Sequence, residues 1–310
     1  MVEVSGGRYR VPMDVNAWCR RWLGAGVEEV LLSTGHLSQV WAVRLVDGRD
    51  VVVKARPASA RLAACTEVQR TLWQAGFPAP EPLVGPVVDG GLAVSAEVLV
   101  AGGTVVPGDF DGPGRFAGLL ARFIRLAPPV DAVGPLDPNP PWIAWDHPGP
   151  GIWPAPDDRD ADLNAPEHAT AWLDDVGTRV RRRLARISGT RTVIGHGDWE
   201  AQNLRWHGRD PLVVHDWDSV VSGPEATIVG QAASVWPCGM EMRAATVPES
   251  AAFIDAYQVA SGRPWSRDEI EASWAAGLWV YAFNAKKASL DNAVWLSPEE
   301  AEQRLKLAGA

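Results

Sequence analysis

The stretch from Val193 to Asp218, VIGHGDWEAQNLRWHGRDPLVVHDWD, concentrates side chains of the kind that catalysis requires. Asp198 follows a short apolar run, Asn203 comes soon after it, and HGRD predicts a turn that leads back to Asp216. We therefore predict a hairpin whose open end gathers these three side chains. Carboxylate and amide oxygens are hard ligands that Mg²⁺ accepts beside phosphate oxygens. A carboxylate that is not bound to metal can accept a proton from an attacking hydroxyl.

The elements before this stretch predict a small, β-rich lobe. Segments rich in Val, Leu and Trp predict strands at residues 28–34, 39–46, 50–55 and 92–100. The sequence DGR between the second and third strands predicts a tight hairpin. A helix is predicted at residues 59–76, because apolar side chains recur on one side and a glycine and a proline end it.

The rest of the chain predicts a larger, mainly helical lobe, so the fold class is α+β with two lobes. Residues 1–100 form the predicted small lobe and 101–310 the large one, with a glycine-containing hinge at 101–104. Helices are predicted at 112–127, 166–187, 248–261 and 266–288, and after Pro298. Ser266 and Glu269 predict a capping box at the start of the fourth of these. Residues 128–165 form a Pro- and Trp-rich insertion, and long loops of this type often cover binding sites.

Composition restricts the classes of partner and the compartment. The chain has 310 residues, 46% of them hydrophobic, and a net charge of −9, which disfavours nucleic acid and is compatible with a cationic small molecule. Cys19, Cys65 and Cys238 are too few and too far apart for a disulfide framework or a zinc site. No signal peptide or membrane-spanning run is evident. We expect a cytoplasmic protein that does not bind membranes and is a monomer or a homodimer.

The motifs HGDWEAQN and VVHDWD resemble the catalytic and metal-binding segments of the aminoglycoside phosphotransferase and choline kinase-like family. That family is related to protein kinases, and the resemblance extends over nearly the whole chain. It implies a protein-kinase-like fold and ATP-dependent phosphoryl transfer with Mg²⁺. By the resemblance, Asp198 is the base that positions the acceptor hydroxyl, while Asn203 and Asp216 hold magnesium. His196 is expected to support the loop through backbone hydrogen bonds.

The resemblance also implies a set of nucleotide-binding residues in the small lobe. Lys54 in DVVVKA is expected to hold the α- and β-phosphates, and Glu67 on the following helix to hold Lys54. Gly35 and Ser38 lie where a turn should close over the phosphates, although relatives often have two glycines and here Gly35 is followed by His36. Two residues near the hinge, Glu97 and Leu99, are assigned to the nucleotide as well.

The acceptor is left open by the sequence. An acidic groove would favour a polycation such as an aminoglycoside, and Trp142, Trp145 and Trp153 in the insertion offer a surface for a sugar or an aromatic ring. We expect an O-phosphotransferase acting on an aminoglycoside or another hydroxylated antibiotic. The alternatives are a kinase of a small metabolite such as choline, a sugar or an amino acid, and a nucleotide-binding protein without turnover. The acidic candidates are Asp157, Asp158, Asp160, Asp162, Glu271, Asp291, Glu299 and Glu300.

Overall fold

The computed structural model describes residues 13–35, 37–106, 112–187, 189–240 and 243–310, and it has the two-lobed α+β architecture predicted from the sequence. The small lobe is a five-stranded antiparallel sheet in the order β1-β2-β3-β5-β4. A short helix, α1, precedes the sheet, and α2 connects β3 to β4. The elements are α1 (Val15–Trp22), β1 (Val27–Gly35), β2 (Gln39–Leu45), β3 (Asp50–Pro57), α2 (Arg61–Gln74), β4 (Pro82–Asp89) and β5 (Leu92–Val98).

Two elements of the small lobe were not predicted. The strand β4 contains Pro82 and a Gly85-Pro86 pair, and prolines and glycines are signals of turns. An edge strand tolerates them, because the N–H groups on its outer side need no partner in the sheet, and β4 lies at the edge. The helix α1 is only eight residues long, which is shorter than the window over which a helical pattern is normally recognised.

The large lobe contains six helices and two small sheets in the described residues. The strand pairs β6–β9 and β7–β8 are both antiparallel, and the second pair is the predicted hairpin. The helix α5 was missed because all its residues are buried, which leaves no amphipathic pattern. These elements are α3 (Gly114–Leu126), α4 (Ala171–Leu184), β6 (Thr192–His196), β7 (Leu204–His207), β8 (Asp210–Val214), β9 (Val220–Pro224), α5 (Glu225–Val235), α6 (Val247–Ser261), α7 (Arg267–Ser289) and α8 (Pro298–Ala308).

The predicted capping box at the start of α7 is confirmed. The Ser266 hydroxyl accepts a hydrogen bond from the Glu269 N–H at 3.3 Å, and the Glu269 carboxylate accepts one from the Ser266 N–H at 2.9 Å. This exchange satisfies donors that the first turn of a helix otherwise leaves unpaired. None of the helices in the described part of the chain is long and apolar enough to cross a membrane.

The helix α2 joins the two lobes. Its buried face, which includes Cys65, Val68 and Leu72, belongs to the hydrophobic core of the large lobe, whereas the sheet has a separate core. The Arg61 guanidinium at the start of α2 donates to the backbone oxygens of Leu136, Asp218 and Val220 at 2.5–3.0 Å. These contacts fix the small-lobe helix to the large-lobe segments that surround Asp218. The packing of α2 therefore crosses the boundary predicted at residue 100.

The insertion at 128–165 packs against the loop that contains Asp198. The Trp142 indole N–H donates to the Gly197 carbonyl at 2.9 Å. Trp153 is fully buried, donates to the Asp174 carboxylate at 2.6 Å and stacks against Trp279. Trp153 is thus a structural residue of the large lobe and offers no surface to a ligand.

Candidate active site

A buried histidine connects the two loops that carry the predicted catalytic carboxylates. The His196 Nε2–H donates to the His215 carbonyl at 3.1 Å, and Nδ1 accepts the Asp198 N–H at 3.2 Å. These two partners determine the tautomer, because Nδ1 has to be unprotonated to accept a hydrogen bond. Burial lowers the pKa of His196, which keeps the ring neutral. One imidazole therefore sets the position of Asp198 relative to the residue that precedes Asp216.

Asn203 and Asp198 form the closest side-chain pair at the open end of the hairpin. The Asn203 Nδ2 donates to the Asp198 carboxylate oxygen Oδ2 at 2.7 Å and to the Asp198 carbonyl at 2.9 Å. Both partners are acceptors, so the amide nitrogen has to face them and the amide oxygen faces away. Asn203 lines the cleft between the lobes, where that oxygen accepts no hydrogen bond from a described residue. It is available as an oxygen ligand for a cation.

Asp216 occupies a strained backbone conformation that aims its side chain at the small lobe. Its φ of 61° and ψ of 50° lie in the left-handed region, which non-glycine residues seldom adopt. Its carboxylate accepts the Lys54 ammonium at 2.7 Å and the Ser219 hydroxyl at 2.6 Å. Burial alone would raise the pKa of Asp216, but the Lys54 charge outweighs burial and holds this pKa below its usual range. Asp216 is therefore ionised throughout the physiological range.

The pKa of Asp198 is shifted in the opposite direction. Burial raises it well above the usual value, and the negative charges of Glu200 and Asp216 raise it further, against the hydrogen bond from Asn203. A carboxylate with a raised pKa is a stronger base, whereas one with a lowered pKa is suited to remain an ionised ligand. The environment thus separates two neighbouring aspartates into a proton acceptor and a permanent anion.

The oxygens of Asn203 and Asp216 fit a magnesium ion that takes its other ligands from phosphate and water. Mg²⁺ is usually held by one or two protein oxygens together with substrate phosphates, so a complete protein cage is not required. The described residues contain no group of three or more His, Cys, Asp or Glu side chains placed to hold a metal ion, as expected for such an open site.

The structure does not bring Glu67 to Lys54, so that expectation needs correction. The Lys54 ammonium contacts Asp216 and Asp218, and the Arg56 guanidinium also contacts Asp218. Glu67 lies on the exposed face of α2, because Cys65 and Gln69, four residues apart, face inward on the other side of the helix. The carboxylate that pairs with Lys54 in the place expected for Glu67 is that of Asp218.

A cleft of about 850 Å³ lies between the lobes, and Gly35 and Ser38 line it. It is referred to below as the cleft. Arg56 also lines it from the small lobe, and Asn203 and Asp216 from the large lobe. A Cβ atom on Gly35 would lie 2.8 Å from the Ser38 carbonyl oxygen, so only glycine fits at this hairpin end without a shift. His36 lies outside the described residues.

Glu97 and Leu99 make contacts within the small lobe. The Glu97 carboxylate accepts the Gln69 amide at 2.6 Å in a small cavity that Lys54 also lines, and burial raises the pKa of Glu97. The Leu99 N–H donates to the Asp50 carbonyl at 3.0 Å, so this donor is already paired. The assignment of both residues to a nucleotide remains a prediction.

A second space, which we call the large-lobe cavity, lies in the large lobe and has a volume of about 370 Å³. Glu200, on the loop that contains Asp198, forms part of its wall. The other lining residues are Asp158, Arg159, Val235, Cys238, Arg243, Ala244, Val280, Tyr281, Asn284, Lys287, Ala288, Asp291, Ala293 and Trp295.

The acidic residues considered for an acceptor groove are for the most part paired. Asp158 accepts Lys287 at 2.8 Å, and Asp291 accepts Arg159 at 2.7 Å. Outside the large-lobe cavity, arginines pair with Glu271 and Glu300, and Asp162 accepts the N–H of Asn164. These contacts cancel much of the negative charge that the sequence alone suggested. Asp157 lines the cleft, and burial raises the pKa of its carboxyl.

The sequence analysis missed three charged residues of the site. Arg56 is two residues after Lys54 on β3, and strand alternation places both on one face, so this position was predictable. Asp218 had no such signal, because Asp-x-Asp is common in solvated turns. Glu200 is distinguished only by its burial, which the sequence does not reveal.

Comparison with known proteins identifies the family and the fold. The sequence model of the phosphotransferase enzyme family (APH) matches residues 29–272. No curated protein sequence matches the chain. Amicoumacin kinase hAmiN, in complex with AMP-PNP, Ca²⁺ and Ami, is 11% identical over 91% of this chain and 87% of its own, with a TM-score of 0.58.

Two further solved structures have the same fold. Aminoglycoside phosphotransferase APH(4)-Ia is 15% identical over 94% of this chain and 95% of its own, with a TM-score of 0.57. A choline/ethanolamine kinase family protein from Mesorhizobium loti is 15% identical over 96% of this chain and 92% of its own, with a TM-score of 0.53. The structural similarity shows a shared kinase-like fold, and the family match extends over most of the sequence. The chain belongs to the phosphotransferase enzyme family.

Proposed function

We propose that the protein is an ATP-dependent O-phosphotransferase that transfers the γ-phosphate to a hydroxyl group of a small molecule. The observation that carries this proposal is the arrangement of Asp198, Asn203 and Asp216 at the open end of one hairpin. Asn203 binds the Asp198 carboxylate at 2.7 Å, and Lys54 reaches across from the small lobe to Asp216 at 2.7 Å. A proton acceptor, two oxygen ligands and a phosphate-binding cation therefore meet where the lobes meet.

Asp198 is the residue that handles the proton. Its oxygen Oδ1 accepts no hydrogen bond from the described residues, whereas Oδ2 is held by Asn203, so Oδ1 is free to orient the acceptor hydroxyl. The hydroxyl oxygen attacks the γ-phosphorus as the bond from that phosphorus to the β–γ bridging oxygen breaks. ADP leaves with the electron pair of that bond, and the hydroxyl proton passes to Asp198.

Lys54 and the metal ligands position the phosphates. The Lys54 ammonium has three N–H donors, and its contacts with Asp216 and Asp218 leave one for a phosphate oxygen. Asn203 and Asp216 would hold Mg²⁺, which neutralises charge that develops on the phosphates during transfer. The similar hAmiN forms a complex with AMP-PNP and Ca²⁺, which supports the proposal that this protein binds a nucleotide with a divalent cation.

The acceptor is a hydroxylated small molecule, and two classes follow from the similar structures. An aminoglycoside or another hydroxylated antibiotic is one, and a metabolite such as choline, a sugar or an amino acid is the other. The pairing of Asp158 with Lys287 and of Asp291 with Arg159 favours the second class, because it leaves little uncompensated negative charge for a polycation.

The test is acceptor-dependent release of ADP from Mg-ATP with a panel of aminoglycosides, other antibiotics, choline, amino acids and sugars. Asp198→Asn is the matched control, since its amide oxygen can still accept from Asn203 while its basicity is lost. We expect turnover by the wild-type protein and about 10²- to 10⁴-fold less in the variant. A variant that turns over as fast as the wild type would contradict the role of Asp198. ATP binding without acceptor-dependent ADP across a widened panel would favour a non-catalytic nucleotide-binding protein.

A further inference from the structure

The large-lobe cavity lies beside the proposed base. Glu200 lines it and follows Asp198 by two residues on the same loop. The charge of Glu200 also acts on the Asp198 carboxyl, so the two groups are neighbours in space. The cleft, in contrast, is lined by Asp216 and Asp218, which both contact Lys54. Gly35 and Ser38 line it from the small lobe.

Most charges around the large-lobe cavity are neutralised by a partner in the protein. Lys287 binds Asp158 at 2.8 Å, and Arg159 binds Asp291 at 2.7 Å. Arg243 is held by both carboxylate oxygens of Glu249, at 2.7 and 2.8 Å. The ion pairs therefore leave no large excess of positive or negative charge on the described wall of this cavity.

Glu200 differs from these residues because it has no cation beside it. Its carboxylate accepts the Gln202 amide and contacts the Cys238 thiol, both uncharged, and no described Lys, Arg or His lies within ion-pair distance. Glu200 is half-buried, and a half-buried carboxylate without a counter-charge is stabilised by a ligand that supplies one. Asn284 also lines this cavity, and its side chain makes no hydrogen bond to a described residue.

The remaining wall of the large-lobe cavity is apolar. Val235 and Val280 are buried, and the phenol ring of Tyr281 is buried beside them. Trp295 contributes a partly exposed indole at the same cavity. A polyhydroxylated sugar would leave its hydroxyl groups unpaired against these surfaces, whereas an apolar or aromatic body would be buried favourably.

We infer that the large-lobe cavity binds an amino alcohol with one positive charge and an apolar body, with its ammonium group on Glu200. This inference rests on the proposed function, because it assigns the acceptor of that reaction. The ammonium supplies the counter-charge that Glu200 lacks, and the apolar body fills the space next to Val280 and Trp295. When the ammonium binds Glu200, a hydroxyl on a neighbouring carbon lies on the side of Asp198.

The test compares two compounds that differ in one group. Phenylalaninol carries an ammonium, an aromatic body and a primary hydroxyl, and 2-methyl-3-phenylpropan-1-ol replaces the ammonium with a methyl group. Calorimetric titration in the presence of Mg²⁺ and a non-hydrolysable ATP analogue gives the dissociation constants. We expect phenylalaninol to bind at least about tenfold more tightly than the neutral compound, and Glu200→Gln to remove this difference. Glu28→Gln, at an exposed strand position, should preserve it.

Other outcomes would overturn the inference. Equal binding of the two compounds, binding of neither, or an ammonium preference that persists in Glu200→Gln would each show that Glu200 does not select a cation. Preferential binding of kanamycin would indicate a polycation site instead. Phosphorylation of phenylalaninol is followed separately by ADP release. Binding without ADP release from the native nucleotide would contradict the proposed function and leave the assignment of the cavity intact.

Discussion

The cleft and the large-lobe cavity, lined by Asn203 and Glu200 respectively, organise charge in different ways. In the cleft, Lys54 and Arg56 of the small lobe bind Asp216 and Asp218 of the large lobe, so the ion pairs cross between lobes. Around the large-lobe cavity, the ion pairs join residues of the large lobe to each other. The first arrangement can be rearranged when a nucleotide and a metal ion enter, whereas the second is a fixed part of the wall.

This difference suggests how the two substrates are recognised. Phosphate oxygens are anionic and can replace the carboxylate partners of Lys54. Mg²⁺ is a cation and can replace Lys54 as the partner of Asp216. In the proposed site, the acceptor would meet a wall whose other charges have partners, so its recognition would depend on shape, apolar contact and the Glu200 carboxylate. Under the proposed function, charge would select the nucleotide, and the shape and apolar surface of the acceptor would mainly determine its binding.

The largest expected difference between the two regions is the loss of Mg-ATP affinity when Asp216 in the cleft is replaced. In Asp216→Asn, one metal ligand loses its charge, so we expect Mg-ATP affinity to fall about 10- to 100-fold together with turnover. Asp198→Asn should retain Mg-ATP affinity, since Asp198 is not a ligand in this assignment. Calorimetric titration of both variants with Mg²⁺ and an ATP analogue makes the comparison. Similar losses of affinity in the two variants would show that the roles of base and metal ligand are not divided in this way.

A smaller effect is expected at the residue that anchors Lys54. Asp218→Asn leaves Lys54 bound to Asp216 but removes the charge that Lys54 and Arg56 share, so we expect the KM for ATP to rise about tenfold. The KM for the acceptor should change little. Glu67→Gln is the matched control on the exposed face of α2 and should leave both values unchanged. If Glu67→Gln raised the KM for ATP as much as Asp218→Asn, the helix glutamate would be the anchor after all.

The sequence predicted the grouping of the candidate side chains where that grouping depends on local spacing. Asp198, Asn203 and Asp216 are brought together by one hairpin within 19 residues, and His196 takes the supporting position expected of it. The four predicted strands and the helices with clear periodicity are also present. In these cases the pattern of apolar residues and the turn residues specify the same local structure.

The sequence did not predict features that depend on which face a helix buries. Glu67 follows Lys54 at a suitable distance along the chain, but Cys65 and Gln69 occupy the inward side of α2 and leave Glu67 in solvent. The pairing of acidic residues considered for an acceptor groove was not predicted for a related reason. Their arginine and lysine partners lie far away in sequence, as Arg159 does from Asp291, and only the tertiary fold brings them together.

The smallest expected effect is a shift in pH dependence that connects the two regions. Asp198 has to be ionised to accept a proton, so kcat/KM should fall as the pH decreases through its pKa. Burial raises this pKa, and the negative charges of Glu200 and Asp216 raise it further, which places the midpoint above that of an ordinary aspartate. In Glu200→Gln one of these charges is absent, so the ionised base becomes easier to form and the midpoint moves to lower pH.

The measurement is kcat/KM against pH for the wild type and Glu200→Gln with the neutral acceptor, whose binding does not require the Glu200 charge. Asp47→Asn, in the exposed hairpin between β2 and β3, removes a carboxylate of equal charge far from the site and should leave the midpoint unchanged. A midpoint that is the same in Glu200→Gln and the wild type would show that the large-lobe cavity does not tune the base. A shift to lower pH in Glu200→Gln alone would show that the residue proposed to select the acceptor also adjusts the proton affinity of Asp198, because both functions use the same negative charge.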